Sequence, residues 1–207
     1  MVITELVSID KRIKVSIDYN FAFWIYKRDF KRYAYLENIQ LGQEIEEELL
    51  QNIYKKIILP YAKEAALALL ERKDRSELEI RKKLEEKEFP ETIFDEVIAY
   101  LYEYHYLDEQ RLVRSYLAGN AKNKSKRMIL LKLKEKGISQ KIIESVMEHE
   151  EYQGNTAAFC ALEKKVKGKE IESLSWNEKQ KINASLYRKG FTVDEIQNAW
   201  ELLKESI

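Results

Sequence analysis

Arg111, Arg114, Lys122, Lys124, Lys126, Arg127, Lys132, Lys134 and Lys136 form the run whose residue types and density point most directly to a chemistry. Guanidinium and ammonium groups packed this closely recognise phosphates or carboxylates, and each phosphate neutralised makes binding more sensitive to salt. Residues 111–150 carry 10 bases and 4 acids, a net of +6. The preceding stretch, 61–110, carries 8 bases and 14 acids, a net of −6. A second reading therefore stands beside the first: a solvated helix face that balances its acidic neighbour. Over the whole chain 36 Lys and Arg offset 36 Asp and Glu, which argues against a generic nucleic-acid coat protein.

Reaction chemistry has no comparable signal. His105, His149 and the lone Cys160 have no metal-ligand spacing and no triad pattern. No glycine-rich loop cradles a phosphate. The expectation is no catalytic residue, no metal and no cofactor. One cysteine permits no internal disulfide and fits a reducing compartment. Acids early in MVITELVSID read against a secretory or transit peptide, and no apolar run of about 18 residues is present to cross a membrane. The expected setting is the cytoplasm, away from any membrane.

The elements that must carry the cations are written three times. RSELEIRKKLEEKEFPETIFDEVI, KSKRMILLKLKEKGISQKIIESVM and NEKQKINASLYRKGFTVDEIQNAW begin at Arg75, Lys124 and Asn177. Each sets an Ile and a Leu one turn apart: Ile80 and Leu84, Ile129 and Leu133, Ile182 and Leu186. A helix-ending position follows at Glu88, Gly137 and Gly190, and then an apolar Phe89, Ile138 or Phe191. Ser76 with Glu79, Ser175 with Glu178 and Thr192 with Glu195 have capping-box spacing, while Asp108, Ser125 and Ser139 suit N-caps. A helical repeat of about fifty residues predicts a stacked array, a form that serves as a binding surface.

Ahead of the array, Ile13, Val15 and Ile17 alternate, as do Phe21, Phe23 and Ile25 after an Asp18-Tyr19-Asn20 break, which predicts a β-hairpin. Val2–Val7 offers a third strand. Helices are expected over 28–40 and 43–59, with a turn at Leu41-Gly42 and Pro60 ending or offsetting the second helix. The expected fold is mainly α: an N-terminal hairpin and helical extension (1–60), then three-helix repeats at 61–106, 107–150 and 151–207 forming an elongated, curved array.

Two further patterns have alternative readings. Met128, Leu130 and Leu131 make the middle second helix apolar nearly all round. Either the middle repeat is buried on two sides, or Met128 and Leu131 stand among Arg127, Lys132 and Lys134 as a partner patch. Tyr100, Tyr102, Tyr104 and Tyr106 cannot share one helical face, so packing is expected for most of them and exposure for one or two.

The stretches ALALLERKDRSELEIRKKLEEKEF, YLYEYHYLDEQRLVRSYL and KRMILLKLKEKGISQKIIE, in this order and spacing, resemble the RecX family of bacterial regulatory proteins. The likeness rests on Arg72–Ser76, on Tyr106-Leu107-Asp108 and on Leu133–Ile138, and departs where His105 or Tyr104 stands in place of a glycine. It implies a modulator of the RecA recombinase that lies in the groove of the RecA–DNA filament and limits its activity; a monomer is expected, with weak contact to single- or double-stranded DNA as a further option. The alternative from the residues is a stand-alone DNA-binding protein of helix-turn-helix-like units. Neutral total charge and the lack of a recognition helix carrying Arg, Asn and Gln at base-reading positions argue against that alternative.

Overall fold

The structure, a computed structural model, describes residues 1–149, 154–167 and 171–205. The chain divides into two compact units, Met1–Asp108 and Glu109–Ile207. The expected boundary at 150–151 lies outside the described residues.

The first unit opens with three antiparallel strands in the order β1 (Ile3–Ile9), β2 (Arg12–Ile17) and β3 (Asn20–Tyr26). The hairpin is present, and the third strand is β1, which sets Leu6 opposite Val15. Asp18 and Tyr19, at φ 48° and 65°, form the two-residue β2–β3 loop, whose left-handed backbone matches the strand twist. Strict alternation fails at one point. The register shifts between Val15 and Ser16, where Val15, Ser16 and Ile17 are all buried; Phe23, Trp24 and Ile25 are buried too, but in unbroken register, with Phe23 against Tyr54 and Trp24 against Phe89. A bulge turns consecutive side chains into the core.

The expected helix over 28–40 is two pieces, α1 (Lys27–Arg32) and a 3₁₀ turn at Ala34–Asn38. The buried Asp29 carboxylate splits them from the sheet by accepting both the Tyr26 N–H at 3.1 Å and the Tyr61 hydroxyl at 2.8 Å. The expected helix over 43–59 starts later and does not stop. α2 (Glu47–Ile53) passes through a π-helical turn at Tyr54–Ile58 into α3 (Leu59–Leu70), with Pro60 in the first turn of α3. The wider π turn accommodates the proline ring. The Lys56 carbonyl, which Pro60 cannot bond, accepts the Tyr33 hydroxyl at 3.5 Å.

α4 (Glu77–Glu86) is held by a capping box between Ser76 and Glu79. α5 (Phe94–Glu103) follows a 3₁₀ turn at Glu91–Ile93, because Pro90 precedes it in an extended conformation. The second unit contains α6 (Glu109–Asn120), α7 (Lys126–Glu135), α8 (Gln140–Met147), α9 (Gly154–Val166), α10 (Trp176–Arg188) and α11 (Val193–Glu205). Ser125, Ser139, Ser175 and Thr192 accept the N–H groups expected of them, from Met128, Ile142, Glu178 and Glu195.

One turn geometry recurs. Glu88, Gly137 and Gly190 have φ of 60°, 84° and 84°. The N–H of Phe89, Ile138 and Phe191 then returns to the carbonyl of Leu84, Leu133 and Leu186, at 3.1, 3.1 and 3.3 Å. These are Schellman closures. A fourth ends α5: His105 has φ 57° and Tyr106 N–H reaches the Leu101 carbonyl at 2.9 Å, so His105 is the residue in the glycine-type conformation. Glu88 carries a side chain where its counterparts carry none, and its carboxylate pairs with Lys14 of β2. Trp24 Nε1 donates to the adjacent Lys87 carbonyl at 3.1 Å, and its ring packs 5.1 Å from Phe89. The sheet is thereby fastened to the α4–α5 turn.

Candidate binding surface on the second unit

α7 buries one face in the second unit and leaves the flank beside it open. Ile129 and Leu133 are fully buried against Leu112, Val113, Leu117 and Ile143. Its start is fixed by Ser125, whose hydroxyl accepts the Met128 N–H at 3.2 Å and donates to the Lys189 carbonyl at 2.6 Å. This second bond ties α7 to the α10–α11 turn, and the approach is close enough to demand glycine there. A Cβ on Gly190 would stand 2.8 Å from Ser125 Oγ and 3.1 Å from Arg127 Cβ.

At about 100° per residue, Lys126, Leu130, Lys134, Arg127 and Leu131 share an arc of about 140° that flanks the buried Ile129–Leu133 stripe. They line a groove of about 680 Å³ together with Tyr187, Gly190, Phe191, Thr192 and Glu195. The lining is mainly apolar, from two leucines and two aromatic rings, with three cations beside it. Leu131 is 50% exposed and Tyr187 60% exposed, while Phe191 is buried beneath. Glu195 is the one acid in the lining, and its Oε2 already accepts the Thr192 N–H at 2.8 Å.

The nine sequence candidates therefore part company. Lys126, Arg127 and Lys134 come together at the groove. Lys132 lies on the opposite side of α7 and pairs with Glu135 at 2.7 Å, a hydrogen bond and charge that hold its ammonium above its ordinary pKa. Lys124 is half-buried, with Nζ donating to Tyr116 Oη at 2.9 Å and sitting 5.0 Å above that ring. Arg111 and Arg114 are exposed one turn apart on α6, Lys122 is exposed in the α6–α7 turn, and Lys136 is the half-buried C-cap of α7. Of the apolar pair, Leu131 is exposed as a patch requires, whereas Met128 is half-buried and does not line this groove. Sequence reasoning did not single out Tyr187, Thr192 or Glu195 as groove residues. The available signal was Tyr187, a large ring one residue off the Ile182–Leu186 stripe and so on the polar side of its helix.

In the first unit Arg81 joins Glu77 at 2.8 Å and Asp95 at 2.7 Å. Tyr100 packs on the core with Lys63 Nζ 4.4 Å above its ring, and Tyr104 leans on it at 4.8 Å while remaining exposed. Tyr102 and Tyr106 are exposed as well, so more of the four rings face outward than the sequence predicts. Among the described residues no group of three His, Cys, Asp or Glu could hold a metal ion, and no helix is long and apolar enough to cross a membrane.

Family models described as RecX, first three-helix domain, and RecX, second three-helix domain, match residues 62–101 and 108–147. A regulatory protein RecX of Clostridium acetobutylicum is 29% identical over 200 residues, spanning 94% of this chain and 89% of that protein. One from Vibrio campbellii is 31% identical over 150 residues, spanning 71% of this chain and 96% of that protein. A crystal structure of a regulatory protein RecX superposes with a TM-score of 0.62 at 20% identity, covering 99% of this chain and 100% of the other, and carries the fold alone. That of RecX from Lactobacillus salivarius gives 0.59 at 25% identity, over 70% of this chain and 96% of the other.

Proposed function

This chain belongs to the RecX family of regulatory proteins, and on that premise we propose that it binds the RecA–DNA filament and lowers its ATP hydrolysis, strand exchange and co-protease action. The role is one of binding rather than catalysis, carried out in the cytoplasm by a monomer without a cofactor. The division of the helical part into repeats at 61–106, 107–150 and 151–207 belongs to the same proposal.

The observation that best supports it is the α7 groove, where Lys126, Arg127 and Lys134 surround a half-exposed Leu131. A mixed basic and apolar surface fits a nucleoprotein partner better than it fits naked phosphate. Binding that favours one state of the filament would shift its population toward that state.

The test is ATP hydrolysis by the cognate RecA on single-stranded DNA, with this protein titrated below one per protomer. The expected result is loss of hydrolysis at substoichiometric amounts, weakened by joint charge reversal at Lys126, Arg127 and Lys134 with the fold intact. An unchanged rate in the presence of folded protein, together with tight binding to bare DNA, would replace this proposal with that of a stand-alone DNA-binding protein.

A further inference from the structure

The α7 groove continues beyond Leu131 and Tyr187 into a second cavity of about 340 Å³, which adds Met128, Arg188 and Lys189 to its lining. The combined trough has a central ridge, Leu131 and Tyr187, that both cavities share. Five cations border it: Lys126, Arg127, Lys134, Arg188 and Lys189. Among the described residues none of the five has an acid within ion-pair distance; Lys134 donates to the neutral Gln140 side chain and Arg188 to the Ala184 carbonyl. The single acid, Glu195, is committed to its own helix cap.

From this arrangement we infer that the trough is a docking site for an acidic, amphipathic segment of a partner protein, with apolar side chains seated against Leu131 and Tyr187 and carboxylates facing the five cations. The inference deepens the filament reading and rests on it for the partner being a protein surface. Two features select a protein segment over a nucleic-acid strand. Phosphates are met by cations, hydroxyls and backbone N–H groups, and they gain nothing from a leucine placed at the centre of the contact. Protein anchors, by contrast, sit in central apolar positions inside a charged rim, and a groove of this kind suits a helix presenting one apolar stripe. Cations outnumber acids five to one around it, which disfavours basic segments as well as drawing acidic ones.

The probe is a labelled peptide with Leu on one helical face and Glu on the others, titrated with the full chain at physiological salt and read by fluorescence anisotropy. A matched peptide with Ser replacing Leu keeps the charge, and a labelled single-stranded oligonucleotide stands for nucleic acid. The Leu peptide is expected to bind and the Ser peptide to bind at least about tenfold more weakly, the scale of one anchor lost. Leu131→Ser should weaken the Leu peptide about tenfold without lowering the melting temperature, and should leave any oligonucleotide binding unchanged. Arg127→Glu with Arg188→Glu should weaken the Leu peptide further.

Equal binding of the two peptides, indifference to Leu131→Ser, or an oligonucleotide that displaces the peptide and shares its sensitivity to Leu131→Ser would overturn the assignment. Failure of peptide binding with RecA inhibition intact removes the trough's occupant and leaves the filament reading standing. Peptide binding with no effect on RecA does the reverse.

Discussion

Replacing Gly190 with alanine is the sharpest test of how α7 is held. Two costs act together at this position. The backbone has φ 84°, where an L-residue with a Cβ is disfavoured by about 1–2 kcal/mol. The new methyl would also stand 2.8 Å from Ser125 Oγ, closer than real contacts allow, and 3.1 Å from Arg127 Cβ, a tight contact. Overpacking of this sort costs about 1–3 kcal/mol. Alanine stiffens the unfolded chain and returns about 0.4–1 kcal/mol. The net expected loss is about 2–4 kcal/mol.

Gly42 supplies the control, since it has φ 80° and nothing within 4 Å of the added Cβ. Gly42→Ala should lose only about 1 kcal/mol, from the backbone alone. Urea unfolding measures both, with Trp200 reporting on the second unit and Trp24 on the first in single-tryptophan backgrounds. Trp200 is suited to this because its Nε1 bonds Asn183 across α10 and α11 at 2.7 Å. Combining Gly190→Ala with Ser125→Gly removes the nearer obstacle, so the two changes should couple by about 0.5 kcal/mol or more. If Gly190→Ala costs no more than Gly42→Ala, the close approach of Ser125 to this turn is refuted, and with it the account of what shapes the groove.

Other outcomes follow from the same physics. Ser125→Ala removes both a helix cap and the donor to Lys189, and should destabilise the second unit by about 1–3 kcal/mol, against less than about 1 for Ser139→Ala, whose cap is exposed and long at 3.4 Å; urea midpoints decide. Leu133→Ala should cost about 2–5 kcal/mol, whereas Leu131→Ala should leave the melting temperature nearly unchanged, since the first is fully buried and the second half exposed. Burial raises the Tyr54 hydroxyl above its ordinary pKa of 10.0, with Glu47 adding to the effect. The unfolded chain therefore loses this proton first, and the contribution to stability is full below the ordinary pKa and declines as pH rises toward the folded value. Tyr54→Phe should flatten that alkaline decline in urea midpoints.

The parts of the fold legible in the sequence were those fixed by local rules. The Ile–Leu pairs, the serine caps and the Glu88, Gly137 and Gly190 turns each follow from a few neighbouring residues, and they hold in the structure. The mistaken parts depend on partners far along the chain. Pro60 reads as a stop or an offset because its missing N–H is local information, while the π turn and the Tyr33 hydroxyl that decide for the offset are not. Consecutive burial of Phe23, Trp24 and Ile25 needs packing on both faces of the strand, Tyr54 against Phe23 and Phe89 against Trp24, which alternation cannot foresee. The cations were legible as a run, yet their division between the two sides of α7 is set by which face meets the core. Tyr187 and Phe191 join Leu131 only because Ser125 reaches Lys189 across 64 residues.

That long reach has a consequence for how the chain is made. Trp24 finds its acceptor at Lys87 and Ser125 finds its own at Lys189, separations of 63 and 64 residues. In both cases the donor leaves the ribosome first. At about 5–20 residues per second it waits several seconds for its acceptor. During that interval β3 can already be supported by its ladder to β2 and the buried face of α7 by α6, but the Ser125 hydroxyl has no Lys189 carbonyl to bond. Synthesis thus proceeds as a series of deferred closures, each fastened when a later turn emerges. A ribosome that pauses before Lys189 leaves the second unit open along the side of α7 that lines the groove.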